Sequence, residues 1–429
     1  VAGQGRRVTC DIGDPSGGAA RDLADDLAAR PLPRRVQHDQ VDRPAEQVAA
    51  RAGEHPLHVA GDGLPAAGEG GEVGARVRDG GAVALDQPDG ARATHGLADE
   101  AREETRKMLE VYRDFAETCL ALPVVAGEKP ENERFPGAVE TWSIEAMMQD
   151  GKALQAGTSH YLGTNFSRAS GISFQNREGT ETLAHTTSWG VSTRMIGGMI
   201  MAHGDDDGLR VPPRLAPWQV VILPMLRGND DDAALIDYCE GLRATLAGQH
   251  ALGEPVRVLL DTKPGKPAQK RWDWVRKGAP LIVEVGGRDM ENGVVTLIRR
   301  DDLWDMETGK LNSQAPTREI AGQTIPGVLG DIQQALFTQA AERRDANIAT
   351  GIDSWDGVVE FFASNGKYPG WVEVQWAKPS GDALEQVVEK LKAEKLTVRN
   401  VPRDAAPADG TCIFTGEPAV ERVYVARAY

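Results

Sequence analysis

The sequence predicts an α+β chain of more than one domain. A helix leads into a glycine-rich part with strand-like runs, an alternating α/β part follows, and a smaller α/β unit ends the chain. Three observations predict this. Apolar residues recur at helical spacing just after residue 98; short apolar runs are separated by turn residues from 121 to 214; and strand and helix patterns alternate from Gln219 onward.

The composition narrows the function classes. The chain has 429 residues, 41% hydrophobic and 26% charged, which suits two or three soluble domains. No stretch is long and apolar enough to span a bilayer, and the first residues carry no basic-then-apolar export pattern. Cys10, Cys119, Cys239 and Cys412 lie far apart with no C-x-x-C pair. That argues against a disulfide scaffold and a standard zinc finger, and fits a reducing cytoplasm. The net charge of −16 argues against general DNA coating, while leaving room for a local basic groove for RNA.

Residues 1–97 stand apart. The first hundred residues hold no Lys, Met, Phe, Trp, Tyr or Asn, and their one Ile is Ile12. Such text has little large apolar surface to offset chain entropy. It reads as a disordered leader, or as a shifted frame of a GC-rich gene, which yields Ala, Arg, Gly and Pro in this way.

From there the elements follow in order. Met108, Leu109, Tyr112, Phe115, Ala116, Cys119 and Leu120 share one face of a helix over 98–120. Strand-like runs fall at 138–144 and 172–175. Trp189–His203 reads as a glycine-spaced helix or a strand-to-helix unit. Pro212-Pro213 and Pro217 mark a boundary. Beyond it, strands are expected at 220–224, 256–261, 281–285 and 294–299, and helices at 233–246 and 269–277. A helix at 328–344 leads out of this part. In the tail, Leu384, Val387, Val388 and Leu391 form one helix face and 423–425 a last strand. No internal repeat is visible.

Four segments could carry chemistry. In 153–163, Gln155, Thr158, Ser159 and His160 surround Gly157, where small residues let backbone approach a ligand; a satisfied turn is the plain alternative. In 186–194, Arg194 would share a strand face with Ser192 and could stabilise a polyphosphate, or serve as a surface ion-pair partner. The acidic run 203–208 suits a metal site or a solvated turn. Lys263, Lys266, Lys270, Arg271, Arg276, Lys277, Arg288, Arg299 and Arg300 concentrate around Trp272 and Trp274, as single-stranded RNA binding or a solvated basic face would require. No G-x-x-x-x-G-K-[S/T] loop and no G-x-G-x-x-G after a strand occurs, so nucleotide chemistry would need another architecture.

Together these stretches resemble a known family. The runs 127–137 (GEKPENERFPG), 155–163, 187–194 and 203–217 occur in the order found in proline–tRNA ligases, class II aminoacyl-tRNA synthetases, of the archaeal/eukaryote-like type without an editing insertion. The run 286–300 is similar to that family's anticodon-binding domain, and 421–429 to its terminal strand. The resemblance covers about residues 96–429. It implies a partial class II catalytic domain at 98–214 built on an antiparallel sheet, an α/β anticodon-binding domain at 215–345 and a small C-terminal domain at 346–429.

The resemblance also implies a reaction. Proline attacks the α-phosphate of ATP, with Mg²⁺ on the phosphates, and passes from the adenylate to the terminal ribose of tRNA(Pro). Gln155 and Thr158 would contact ATP, as would Ser192 and Arg194, with Arg194 the catalytic cation. His160, Trp189 and Gly190 would line the proline pocket. Arg288, Asp289 and Arg299 would face the anticodon. A cytoplasmic homodimer with no membrane association is the implied setting, its interface weakened here. An apolar pocket discriminates by only about 1–3 kcal/mol per methylene, so alanine would be a competing substrate.

The departures from the family pattern are specific. Its first motif supplies a Thr and Glu for the proline amine, and its second an Arg-x-Glu pair. Residues 1–97 contain neither an Arg-x-Glu triplet nor an Arg-Pro-Thr-Ser-Glu-like string, and Arg102-Glu103-Glu104 lies on the amphipathic helix instead. The chain as written is therefore expected to be inactive or nearly so. The alternative is a non-catalytic tRNA-binding remnant. Many relatives carry four zinc-ligating Cys in the tail; here Cys412 stands with Thr415 and Asn400 at two of the other positions, so no zinc is expected.

Overall fold

The computed structural model describes residues 83–87, 90–364 and 370–429; the expectations for residues 1–82 lie outside the described residues. Strands β1 (Val83–Gln87) and β2 (Gly90–His95) form an antiparallel pair ahead of helix α1 (Ala98–Asp114). The sheet therefore starts upstream of Ala98, before the composition turns aromatic. Asp99 and Glu100 occupy the first turn of α1, where carboxylates suit the helix dipole, and the Glu100 carboxylate accepts from the Leu97 N–H at 3.3 Å. Ala101, Thr105, Leu109 and Tyr112 are buried at i, i+4 and i+3 spacing. The expected helix to Leu120 is realised by a π-turn over Phe115–Cys119. Its extra residue shifts the phase, so Phe115 is 40% exposed while Ala116 is fully buried.

Strands β3 (Val124–Glu128), β4 (Glu140–Met147) and β5 (Ala153–Gly163) follow. Helix α2 (Asn165–Ser170) and the hairpin β6 (Ser173–Gln175) and β7 (Glu181–Leu183) lead to β8 (His185–Val191) and helix α3 (Arg194–His203). The main sheet runs β1-β2-β8-β5-β4-β3 and is antiparallel throughout. One face packs on α1 and α3, through Leu109, Tyr112, Ile144, Ala146, Leu154, Ala156 and Met195. The other face carries the polar residues described below. The Trp189–His203 unit is thus strand then helix.

The second part places parallel strands β9 (Val220–Pro224), β12 (Val258–Leu260) and β13 (Leu281–Val285) beside antiparallel β14 (Thr296–Arg299), in the order β12-β9-β13-β14. The short pair β10 (His250–Ala251) and β11 (Glu254–Pro255) forms a hairpin between them. Helices α4 (Asp232–Ala247), α5 (Pro267–Arg276) and α6 (Gly287–Glu291) cross over, and α7 (Arg318–Ala346) closes the layer. β9 and β13 are buried along their whole length, as near-continuous apolar runs in a covered parallel pair should be. Leu235, Cys239, Leu242 and Leu246 of α4 meet Ile325, Leu329 and Ile332 of α7 over one face; Val275 of α5 covers the other. The α7 helix begins ten residues before the expected Val328 and carries Pro326 within it.

The tail folds as β15 (Ile348–Ala349), α8 (Trp355–Ser364), β16 (Trp371–Trp376), α9 (Gly381–Ala393), β17 (Thr397–Val398), β18 (Val401–Pro402) and β19 (Glu421–Ala426). Its sheet orders β15-β16-β19-β17, with Leu384, Val387 and Leu391 of α9 in the core as expected. β18 leaves this unit to pair antiparallel with β3, becoming the seventh strand of the main sheet. Among the described residues no helix is long and apolar enough to cross a membrane.

Candidate functional site

Gln155, Thr158, Ser159 and His160 do not form a turn. They lie on the central strand β5, hydrogen-bonded to β4 on one side and β8 on the other. The reason the small, polar string tolerates this place is a β-bulge. Glu145 pairs with Gln155 and Ile144 with Gly157, so Ala156 is the extra residue. Gln155 and Thr158 are three apart and would face opposite sides of a regular strand. The extra residue puts Gln155, Thr158 and His160 on one face, away from α1. Ser159 faces the other way and donates to the Thr105 carbonyl at 2.7 Å, a structural bond to α1. Gly157 also faces α1, where an added Cβ would lie 3.4 Å from the Tyr112 ring and 2.9 Å from Val191 Cγ1.

His160 is the best-defined residue of the open face. It is 9% exposed, and burial lowers its pKa to about 4, so the ring is neutral. Its Nδ1 lies 3.0 Å from Thr141 Oγ1. The Phe135 N–H donates to that same hydroxyl at 3.1 Å, so Thr141 ties the ring to the 129–141 loop. The Phe135 ring covers His160 at 5.0 Å between centroids, and Phe166 stacks on Phe135 at 6.3 Å. A neutral imidazole under aromatic cover suits a small, uncharged ring more than an anion.

The neighbours in β8 follow from register. Ser188 is opposite His160 and Gly190 opposite Thr158. Gly190 presents no side chain to the open face. Trp189 is opposite Ser159 and packs against the cluster under α1, so its ring lies on the side away from His160, with a buried Nε1 that has no partner among the described residues. β8 ends at Val191. Ser192 and Arg194 do not share a strand face, because Thr193 already has helical backbone and Arg194 is the first residue of α3. The Arg194 N–H donates to Ser192 Oγ at 3.3 Å, and the Arg194 side chain is exposed at the end of the strand that flanks Gly157.

Other expected sites are spent on structure. Asp205 of the acidic run is held by both guanidinium ends of Arg300, Nη1 at 2.8 Å, and Asp207 accepts from the Trp304 indole at 2.7 Å. Most of the expected basic face is paired: Lys270 with Asp261 at 3.3 Å, Arg271 with Glu284, Arg276 with Asp273 and Arg299 with Asp301 at 2.7 Å. Trp274 donates to Asp261, and Trp272 stacks on Trp304. Of the anticodon candidates, Asp289 accepts from the Gly286 N–H at 2.7 Å, Arg288 sits on α6, and Arg299 is the last residue of β14. Asn400 donates to the Val125 carbonyl at 3.0 Å, and Cys412 is buried in the tail core. With one thiol and a committed amide, these positions do not fit a tetrahedral zinc.

Sequence reasoning missed Thr141, Phe135, Ser188 and the buried acid Glu145. Phe135 stood inside the quoted 127–137 run, but only the fold brings it over His160. A cleft of about 280 Å³ runs between Glu131, Arg134, Lys378 and Ser380.

An antiparallel sheet with an open polar face, followed by an α/β module, is the class II aminoacyl-tRNA synthetase arrangement expected from the sequence. Residues 219–313 match the family model described as "Anticodon binding domain". Over 335 residues the chain is 66% identical to the proline–tRNA ligase of Erythrobacter litoralis, covering 78% of this chain and 65% of that protein. It is 65% identical over 335 residues to that of Sphingomonas elodea, covering 78% and 66%. It is 47% identical over 336 residues to that of Paramagnetospirillum magneticum, covering 78% and 65%. Over the matched part, the chain is thus similar to proline–tRNA ligases at 47–66% identity. The chain spans just under two-thirds of the length of these relatives.

Proposed function

We propose that the open face of β5 is the adenylate side of an ATP-dependent proline–tRNA ligase. The observation that carries this is the bulge, which gathers Gln155, Thr158 and His160 beside the Ser192–Arg194 corner. In this reading a proline carboxylate oxygen attacks the α-phosphorus of ATP and pyrophosphate leaves. The terminal ribose hydroxyl of tRNA(Pro) then attacks the prolyl carbonyl and AMP leaves. Gln155 and Thr158 hold the nucleotide, with Ser192 beside them. Arg194 offsets charge on the phosphates as the α-phosphorus is attacked, and Mg²⁺ arrives with ATP. His160, neutral and capped by Phe135, bounds the proline pocket. Gly190 leaves it room, and Trp189 supports the strand from behind. In the module that carries the anticodon-binding match, Arg288 faces tRNA, while Asp289, which caps α6, and Arg299, which pairs with Asp301, shape the surface around it.

We further infer that these 429 residues alone do not form adenylate, because residues 1–97 hold no Arg-x-Glu clamp. A second reading, a tRNA-binding remnant without catalysis, is favoured by one observation: the 219–313 match shares a continuous apolar core with α7, while residues 1–97 hold no Arg-x-Glu triplet. The homodimer of the family is proposed to be weakened, and the tail to be zinc-free.

The test is proline-dependent ATP–pyrophosphate exchange by the purified chain, beside filter binding of tRNA(Pro) and metal analysis. Background exchange, retained tRNA and no bound zinc are expected. Robust exchange would refute the inactivity, and failure to bind tRNA(Pro) would refute both readings.

A further inference from the structure

Glu145 lies on β4 directly opposite Gln155, at the bulge, and is fully buried. A buried carboxylate must be paired. Here Oε1 meets Lys129 Nζ at 3.0 Å and accepts from Ser143 Oγ at 3.2 Å. Oε2 accepts from Arg399 twice, Nη2 at 2.7 Å and Nε at 3.2 Å. Lys129 is 2% exposed and Arg399 5%. Burial pulls the Lys129 pKa below its ordinary value, and Glu145 pushes back.

Ser143 lies on β4 and Lys129 directly follows β3, but Arg399 comes from the tail, between β17 and β18. The tail fixes Arg399 from both sides. Its Nη1 donates to Thr397 Oγ1 at 2.9 Å, Asn400 donates to the Val125 carbonyl, and Val401 pairs with Glu128. On the same face Trp371 and Ala426 pack on Met147 and Ala153. The tail therefore covers one end of the open face and plants a cation at the strand position from which the bulge starts.

We propose that Arg399 is a positioning residue for the candidate site. Through Glu145 it locks the β4–β5 bulge, and so holds Gln155, Thr158 and His160 in one orientation. The link to adenylate chemistry rests on the reading above; the mechanical claim does not. Without Arg399, one oxygen of a buried carboxylate loses its partners. The cheapest relief is for the bulge to slip, which turns Gln155 relative to Thr158.

Hydrogen–deuterium exchange on the full chain tests this with no ligand, so failed catalysis and a failed inference remain distinguishable. In Arg399→Met, amides of 153–163 should exchange about ten-fold faster while those of 219–313 keep their rates. Arg399→Lys, which keeps a cation beside Glu145, should bring 153–163 back most of the way, a rescue that loss of packing alone would not give. Should Arg399→Met not fold, Glu145→Gln, nearly isosteric, should show the same local acceleration. Unchanged exchange over 153–163, acceleration spread equally over 219–313, or no rescue by lysine would each overturn the proposal.

Discussion

At the residue scale, two buried histidines set a pH dependence. His160 and His203 are both pushed from an ordinary 6.5 to about 4, chiefly by burial. Between those values the unfolded chain binds more protons than the folded one. Their contribution to stability is therefore complete above about pH 6.5 and is lost as pH falls toward 4. His203 bonds the Leu120 carbonyl at 2.9 Å and ties α3 to the end of the π-turn. The thermal midpoint should fall from pH 7 to pH 4.5, and His203→Gln should flatten that slope; a slope that the variant leaves unchanged would show that the His203 ring does not stay neutral in the fold. Only part of this was legible beforehand. The string around His160 marked a place of interest, yet its residues gave no sign that Thr141, nineteen positions away, would fix the ring. Glu145 was invisible for the same reason: a carboxylate in a strand looks solvent-facing until a distant Arg399 is seen against it.

At the element scale, helices and buried strands of the second part are legible in the apolar pattern, because α4 buries one regular face and β9 and β13 are continuous apolar runs. The 153–163 string reads as a turn because Gly and Thr weaken a strand pattern, and a bulge breaks its alternation. Pairing on both sides overrides that weak local preference. The same logic governs β18, two residues long, which no periodicity could reveal. Its docking depends on Gly127, where an added Cβ would sit 2.2 Å from the Val401 carbonyl and 2.8 Å from Asn400 Cγ. Gly127→Ala should displace β18 and cost about 1–3 kcal/mol. Urea unfolding checks the cost, with faster amide exchange over 397–403; a variant as stable as the parent would mean that the strand does not dock there.

At the scale of the whole molecule, the parts were visible as composition and pattern, but their joints were not. Arg300, read as one more cation of a basic face, is instead 2% exposed and clamps the 203–208 turn to the second part. It bonds Asp205, the Gly208 carbonyl at 3.2 Å and the Val275 carbonyl at 3.1 Å. The backbone adds Leu209 N–H to the Arg276 carbonyl at 3.0 Å. Arg300→Met should split the unfolding of the sheet part from that of the 219–313 module. Calorimetry should then show two transitions where the parent shows one, and a single unshifted transition would contradict the clamp.

The most direct measurement joins the amino-terminal part of the Erythrobacter litoralis relative to this chain from Ala98 onward and assays proline-dependent ATP–pyrophosphate exchange. The proposed role of the β5 face and Arg194 requires exchange by the chimera and its loss, by at least about a hundred-fold, on Arg194→Ala. A silent chimera, or one indifferent to Arg194, would contradict it.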